Sequence, residues 1–281
     1  MIDLAWVQEH LDAGERVVDA EPLHGGLTAD MRHLTTATPD GRRRHLVLRT
    51  YVDRPDAADW LSRESHALTE LETTAVPAPE LIAVADPALL MTWMPGRTVL
   101  TDTGLIPALA RQLVAIHAVQ PVERPRPFVT LTTAATVVTP DGADWSAAID
   151  VIRGGHPPYE GVFLHRDYQP GNVLFDGNHI TAVVDWAGTS WGPTDLDVAH
   201  CATNLALLHG PTWAHHFIAA YEQAGGALSP HRHYWLIRDA LAFSEELEPA
   251  THPWRNSTRP DLTPELVAAR LTTYVTTLMT P

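Results

Sequence analysis

Two short stretches decide the fold of this chain: HRDYQPGNVL, from His165 to Leu174, and TAVVDW, from Thr181 to Trp186. Each contains or follows a run of apolar residues, so we expect their polar residues to lie at the ends of strands. Asp167, then Asn172 five residues later, and Asp185 a further thirteen residues on can therefore converge. Oxygen ligands on two neighbouring loops suit Mg²⁺, which takes few ligands from the protein. A metal site beside a carboxylate that can orient a hydroxyl group is what phosphoryl transfer requires.

Taken singly, these three residues also have ordinary structural interpretations. Asp167 alone is consistent with a turn, Asn172 with a cap, and Asp185 with the end of a strand. The two spacings together favour the catalytic interpretation, because a turn, a cap and a strand end have no reason to occur at both of these intervals.

The same residues resemble the motif of a known family. His-Arg-Asp, four further residues and Asn, followed by a second Asp, is the kinase catalytic pattern. With Pro-Gly before the asparagine and Val-Val-Asp-Trp afterwards, the chain resembles the aminoglycoside phosphotransferase family, whose kinase-like members act on small molecules. The resemblance implies that Asp167 is the catalytic base and that Asn172 and Asp185 bind Mg²⁺.

The segment WGPTDLDVAH, from Trp191 to His200, resembles the continuation of the family motif. The resemblance implies that Asp197, which precedes Val-Ala, steadies the catalytic loop, and we expect a structural role in that loop for His165. It further implies a bilobal protein-kinase-like fold. Activity on protein substrates is disfavoured, because Asp-Trp-Ala stands where protein kinases have Asp-Phe-Gly and no Ala-Pro-Glu segment follows.

The apolar periodicity along the chain predicts an α+β protein with two lobes. A small N-terminal lobe is expected to hold an antiparallel sheet and one helix, Ala57–Glu72, and to end in a buried strand at Ala88–Gly96. A larger, mostly helical C-terminal lobe is expected to follow. We therefore predict a nucleotide-binding lobe with its linker strand at residues 1–95, and a helical lobe with the catalytic loop and substrate site at residues 96–281. Helices are predicted in the second lobe at Gly104–Val119, Asp195–Leu208, Pro211–Ala224, His231–Leu247 and Thr263–Leu278.

A kinase needs a cation near the nucleotide phosphates, and this chain contains no lysine. Arg49, on a predicted strand, is the candidate. Glu64 lies within the apolar stripe of the predicted helix Ala57–Glu72, where an unpaired charge is costly. An ion pair between Arg49 and Glu64 would satisfy both groups. The alternative is that Glu64 lies at the edge of the stripe, in water.

Further contacts with the nucleotide, ATP or GTP, are expected at two places. Gly25 and Gly26 would form the hairpin that covers the phosphates, although a plain turn is nearly as good an interpretation. The segment MTWMPG resembles the family's adenine-binding linker, which implies that the main chain around Thr92 and Met94 reaches the base.

The phosphate acceptor is expected to approach Asp167 from the helical lobe. Asp195, Glu245, Glu246 and Trp191 are the candidates for binding a cationic small molecule there. A solvated helix end for the glutamates and simple packing for the tryptophan are the competing interpretations.

Three hypotheses on function follow from these residues. The first is an ATP-dependent O-phosphotransferase that inactivates a cationic antibiotic, either an aminoglycoside or a peptide of the viomycin–capreomycin type. The second is a kinase of a primary metabolite such as homoserine, fructosamine or choline. The third, a non-catalytic nucleotide-binding module, is disfavoured because Asp167, Asn172 and Asp185 are all present.

The composition indicates which kinds of partner and which cellular compartment are compatible with this chain. A formal net charge of −15 argues against nucleic acid and is compatible with cationic ligands, although acidic surfaces also serve solubility. No stretch approaches the roughly 20 apolar residues of a membrane span, and the N-terminus lacks the apolar core of a signal peptide. Cys201 is the only cysteine, so no internal disulfide can form. We therefore predict a cytoplasmic monomer or dimer that does not bind membranes.

Overall fold

A computed structural model of the chain describes residues 4–23, 29–51, 55–130, 132–140 and 142–280, and of Glu246 the main chain alone. The predicted phosphate-covering glycines, Gly25 and Gly26, lie outside the described residues. An antiparallel sheet with one long helix comes first along the chain, and a larger helical part follows.

Five antiparallel strands form the sheet of the N-terminal part. The elements of this part are α1 (Leu4–Glu9), β1 (Arg16–Leu23), β2 (Asp30–Ala37), β3 (Arg43–Thr50), α2 (Ala57–Leu71), β4 (Leu81–Ala85) and β5 (Ala88–Thr92). The sheet order is β1-β2-β3-β5-β4. The Pro-Asp-Gly turn joins β2 to β3 as predicted, and its Gly41 has a φ of 84°, which favours glycine.

Strand β3 presents its two faces to two different cores. Leu46 and Leu48 pack into a small cluster that includes Val7 of α1, on one side of the sheet. Val47 alternates with them and packs against the main core on the other side. Because side chains alternate along a strand, Arg49 points the same way as Val47, towards the helical part.

Helix α2 confirms the predicted apolar stripe, with Leu61, Glu64, Leu68 and Leu71 all buried on one face. The glutamate is only 1% exposed, so the alternative that it lies in water is wrong. The stripe brings this carboxylate into the interior of the protein, next to the end of β3.

The C-terminal part is built around one buried helix, α5. The elements of this part are β6 (Arg97–Thr98), α3 (Ile106–His117), α4 (Ser146–Arg153), β7 (Val162–Leu164), β8 (Val173–Asp176), β9 (His179–Val183), β10 (Ser190–Gly192), α5 (Thr194–His209), α6 (Pro211–Gln223), α7 (Arg232–Ser257) and α8 (Pro264–Met279). Thirteen of the sixteen residues of α5 are buried, as expected for a helix enclosed by other helices. The proposed lobe boundary at residue 95 falls between β5 and β6 and stays a prediction.

One helix differs from its predicted length. A helix was expected to end near Leu247, before Pro249 and Pro253, but α7 continues to Ser257. Trp254 is only 4% exposed and belongs to the main core, so packing favours the helical conformation there. Tertiary contacts thus outweigh the local cost of the two prolines.

Crossing a bilayer takes a longer and more apolar helix than any found in the described ranges.

The helical core offers a direct test of this architecture. Leu113 of α3 is fully buried, so Leu113→Ala is expected to reduce the free energy of unfolding by about 2–5 kcal/mol. Leu266→Ala makes the same change at a residue that is 36% exposed, and is expected to cost less than about 1 kcal/mol. Denaturant titration of both variants measures the difference, and equal losses would contradict the burial described here.

Candidate active site

The loop between β7 and β8 is held at its start by one buried carboxylate. Asp197, in the first turn of α5, accepts hydrogen bonds from the main-chain N–H groups of His165 and Arg166, both at 2.8 Å. His117 Nε2 lies 3.3 Å from the same carboxylate. Burial alone would raise the pKa of Asp197, but the hydrogen bond and charge of His117 outweigh burial and hold this pKa below its ordinary value.

His165 links this loop to the segment that precedes Asp185. Its Nε2 donates to the carbonyl oxygen of Val184 at 3.1 Å, and its Nδ1 accepts from the N–H of Asp167 at 3.2 Å. These two bonds define a neutral ring protonated on Nε2, and burial lowers the pKa of His165 in agreement with that state.

The side chains of Asp167 and Asn172 are in direct contact. The Asn172 amide nitrogen donates to the main-chain oxygen of Asp167 at 2.9 Å and to Oδ2 of its carboxylate at 2.8 Å. Both amide hydrogens are then engaged, so the Oδ1 oxygen of Asn172 is the atom left to bind a cation. The N–H of Val184 donates to the main-chain oxygen of Asn172 at 2.9 Å, which fixes this residue to the end of β9.

Arg49 joins the sheet to the helical part through two carboxylates. Its Nη1 lies 2.8 Å from Glu64 Oε1, and its Nη2 lies 2.8 Å from Asp185 Oδ1. Tyr51 donates its hydroxyl hydrogen to the other oxygen of Glu64 at 2.6 Å. Burial opposes the charge on Arg49, but the two carboxylates outweigh burial and raise its pKa. A planar guanidinium can hold two carboxylates at once, whereas an ammonium group lacks this fork.

Asp185 adopts a left-handed main-chain conformation, with a φ of 66°. This conformation is uncommon for residues other than glycine and occurs often at functional sites. The Asp185 side chain remains 35% exposed although one of its oxygens contacts Arg49. It is therefore accessible to a bound cation.

The segment that follows β5 runs beside β3 and is only partly engaged in main-chain hydrogen bonds. Trp93 donates its N–H to the carbonyl oxygen of His45 at 3.0 Å, and Thr92 binds Glu80 through both its N–H and its hydroxyl oxygen. No backbone hydrogen bond of Met94 is found within the described part of the chain. The Met94 main chain is thus free to bind a ligand.

Two of the four residues predicted to bind the acceptor, Asp195 and Trp191, have partners within the protein. Asp195 is 3% exposed, and its carboxylate accepts hydrogen bonds from the N–H and the hydroxyl of Ser229. The guanidinium carbon of Arg124 lies over the ring of Trp191, 4.9 Å from the ring centroid, in a cation–π contact. Glu245 is exposed on α7 and forms none of the ion pairs seen among the described residues, and the side chain of Glu246 lies outside the description. Asp195 and Trp191 make no hydrogen bond with Asp167.

Residues that the sequence analysis missed surround Asp167 instead. His200 Nε2 lies 2.9 Å from Asp167 Oδ1, and its Nδ1 lies 3.3 Å from Asp239 of α7. Gln169 donates to the same Oδ1 at 3.2 Å. The spacing along α5 could have indicated His200, because it follows Asp197 by three residues and therefore lies on the same side of the helix, facing the catalytic loop.

Two arginines lie close to this group. Arg238 of α7 is 6% exposed; its Nη2 donates to the carbonyl oxygen of Thr132 at 3.5 Å, and its side chain also interacts with the phenol of Tyr234. Burial lowers the pKa of Arg238, and the charge of Arg166 adds to this effect. Among the described residues no carboxylate forms an ion pair with either arginine, and Arg166 Nη1 is buried without a hydrogen-bond partner.

Comparisons with known proteins bear on the family and the fold of this chain. The sequence model of the phosphotransferase enzyme family matches residues 19–234. Aminoglycoside phosphotransferase APH(4)-Ia is 18% identical, with a TM-score of 0.65 over 99% of this chain and 98% of that one. Macrolide 2'-phosphotransferase MphH from Brachybacterium faecium is 17% identical, with a TM-score of 0.58 over 99% and 98% of the two chains. These likenesses confirm the bilobal protein-kinase-like fold. No curated protein matches the sequence.

Asp197 can be tested by a substitution that keeps its shape. Asp197→Asn replaces an acceptor oxygen by a donor and is expected to lower the free energy of unfolding by at least about 2 kcal/mol at pH 6. Because the pKa of Asp197 is lowered in the folded state, its contribution exists above the unfolded pKa and is lost as the pH falls below about 4. Urea titrations between pH 3 and 7 measure the change.

Asp195→Asn is the matched control, two residues earlier on the same helix. Burial raises the pKa of Asp195, so its charge disfavours the folded state, whereas the charge of Asp197 favours it. The amide is therefore expected to be tolerated at pH 6. Equal losses in the two variants would contradict the distinct role assigned to Asp197.

Proposed function

The chain belongs to the phosphotransferase enzyme family and is a phosphotransferase, and we propose that it transfers the terminal phosphoryl group of ATP to a hydroxyl group of a small molecule. The observation that carries this proposal is the contact of Asp167 with Asn172 beside the Arg49 bridge from Glu64 to Asp185. These are the groups that phosphoryl transfer by a kinase-like fold requires.

Nucleotide binding is supported from two sides. A thermostable mutant of APH(4)-Ia with the same fold has been crystallised with ADP and with AMP-PNP. In this chain, Arg49 is proposed to bind the phosphates and the main chain of Thr92 and Met94 to bind the base. Gly25 and Gly26 are proposed to cover the phosphates.

The residues present fit a magnesium ion. Among the described residues no three His, Cys, Asp or Glu side chains are grouped to hold a metal, so a cation here would rely on few protein ligands. That is the usual situation of Mg²⁺, which keeps waters and phosphate oxygens. Asn172 Oδ1 and the exposed carboxylate of Asp185 are the proposed ligands. A bound Mg²⁺ would neutralise charge on the transferred phosphoryl group.

Asp167 is proposed as the base that accepts the hydrogen of the acceptor hydroxyl. Phosphoryl transfer passes through a loose transition state, so orientation of the nucleophile matters more than the strength of the base. His165 and Asp197 are proposed to hold the main chain of the catalytic loop in place for this task.

A cationic antibiotic is our first candidate acceptor. The solved structures that share the fold include aminoglycoside and macrolide phosphotransferases, one of them in a complex with hygromycin B. The formal net charge of −15 also favours the approach of cations. Inactivation of such a compound in the cytoplasm, where ATP is available, is the corresponding biological role.

A primary metabolite with an anionic group is a second candidate. Arg238 is buried and forms no ion pair among the described residues, although the charge of Asp239 acts on it from a longer distance, and it lies close to the like charge of the half-buried Arg166. Burying a cation beside a like charge is unfavourable unless an anion compensates it. A hydroxylated amino acid such as homoserine would supply a carboxylate there.

Substitution of the proposed base tests the reaction itself. Asp167→Asn keeps the shape of the side chain but removes the proton acceptor, and is expected to reduce acceptor-dependent ATP consumption by roughly 100-fold or more. Consumption of MgATP is measured over aminoglycosides, viomycin, macrolides, choline and homoserine, and calorimetry checks that ADP binding is retained. Unchanged turnover in this variant would contradict the role of Asp167. A wild-type protein that binds ATP but consumes none with any acceptor would contradict the proposed function.

The two acceptor classes are separated by Arg238→Gln. With a carboxylate-bearing acceptor, KM for the acceptor is expected to rise by at least about 30-fold, because a buried charge pair loses one partner. With an aminoglycoside, KM is expected to stay within about threefold. Arg232→Gln is the matched control on the same helix, since Arg232 is exposed and pairs with Glu222. A similar change in both variants would rule out a specific site at Arg238.

A further inference from the structure

Asp167 is in contact with a side chain, that of His200, to which the family resemblance assigned no role. His200 lies on α5, three residues after Asp197, so one helix contacts the catalytic loop twice. Asp197 binds the main chain of the loop, and His200 Nε2 binds Oδ1 of Asp167 at 2.9 Å. The other ring nitrogen, Nδ1, lies 3.3 Å from Oδ1 of Asp239 on α7.

The two ring contacts define the roles of the nitrogens. An ionised carboxylate oxygen can only accept a hydrogen bond, so each ring nitrogen that binds one must donate. Burial would lower the pKa of His200, but Asp239 and Asp167 outweigh burial and raise this pKa to about 10, in agreement with a doubly protonated ring. Asp239 itself is 8% exposed, and its second oxygen, Oδ2, is buried without a hydrogen-bond partner among the described residues. The hydrogen bond of its carboxylate is therefore the one to the ring of His200.

The two carboxylate oxygens of Asp167 accept different numbers of hydrogen bonds. A carboxylate offers about four acceptor positions, two on each oxygen. Oδ1 accepts from both His200 and Gln169, whereas Oδ2 accepts only from Asn172 among the described residues. The remaining acceptor position therefore lies on Oδ2.

We infer that His200 is a positioning residue of the proposed phosphoryl transfer: held by Asp239, it engages Oδ1 of Asp167 and leaves Oδ2 as the oxygen that receives the acceptor hydroxyl. This inference rests on the proposed function. Without the contact, the Asp167 carboxylate can rotate about its terminal bond and present either oxygen. A misplacement of about 1 Å at the reacting centre can reduce a rate by roughly 100-fold, so the effect of His200 is expected in kcat.

Two substitutions separate positioning from a purely structural role. The amide nitrogen of His200→Gln can take the place of Nε2 and bind Asp167, whereas that of His200→Asn can take the place of Nδ1 and bind Asp239. The Gln variant is expected to retain at least about a third of the wild-type kcat, and the Asn variant to lose roughly 100-fold, with KM for ATP unchanged in both. If His200 only joins α5 to α7, its contact with Asp239 is the one that matters. The Asn variant, which keeps that contact, would then have a higher kcat than the Gln variant.

The experiment measures kcat, KM for MgATP and the thermal unfolding midpoint of both variants, with the acceptor that the wild-type enzyme turns over fastest in the panel above. If the Asn variant fails to fold, His200→Leu replaces it, because leucine is of comparable size and binds neither carboxylate. The Leu variant is then expected to lose roughly 100-fold in kcat relative to the Gln variant, at unchanged KM for MgATP, and equal losses in the two variants would overturn the inference. Equal kcat in the compared variants and the wild type overturns the inference and leaves the proposed function intact. Absence of wild-type turnover with every acceptor refutes the proposed function, and the inference with it.

Discussion

The arrangement of the candidate site depends on the buried carboxylate of Asp197. Two main-chain N–H groups of the catalytic loop, those of His165 and Arg166, donate to its two oxygens. Arg166 has a φ of 74°, a main-chain conformation that is costly for a residue with a side chain. A rigid acceptor on the central helix can offset this cost and so hold Asp167, the next residue, in one orientation.

A second constraint joins the sheet to the helical part. Arg49 is almost fully buried, and its guanidinium binds Glu64 of α2 and Asp185 of the segment after β9. Removing Arg49 would leave the buried Glu64 without a cation, which is far more costly than losing an exposed ion pair. In the proposed reaction the same arginine would exchange part of its contact with Asp185 for the nucleotide phosphates, so the bridge holds the site ready for its ligand.

Much of this site could be predicted from the sequence because its residues lie close together along the chain. Asp167 and Asn172 precede the hairpin of β8 and β9 and Asp185 follows it, so the length of this hairpin brings the two segments together. The pairing of Arg49 with Glu64 was also predictable, since a charge within an apolar helical stripe requires a partner. The acceptor-binding residues stay a prediction, because acidic and aromatic residues after Asp195 have many possible partners and no motif spacing selects among them. Asp195 itself proved to be committed to Ser229.

The sequence by itself determined the two lobes, the family and the residues of the proposed reaction, because local periodicity and motif spacing encode each of them. Only the tertiary structure decided which side chains surround Asp167. The contact of His200 with Asp239 joins α5 to α7 across 39 residues of chain, and the approach of Arg238 to Arg166 spans a still longer separation. Such contacts depend on how helices pack against one another, which is a property of the assembled core and leaves no periodic pattern in the sequence.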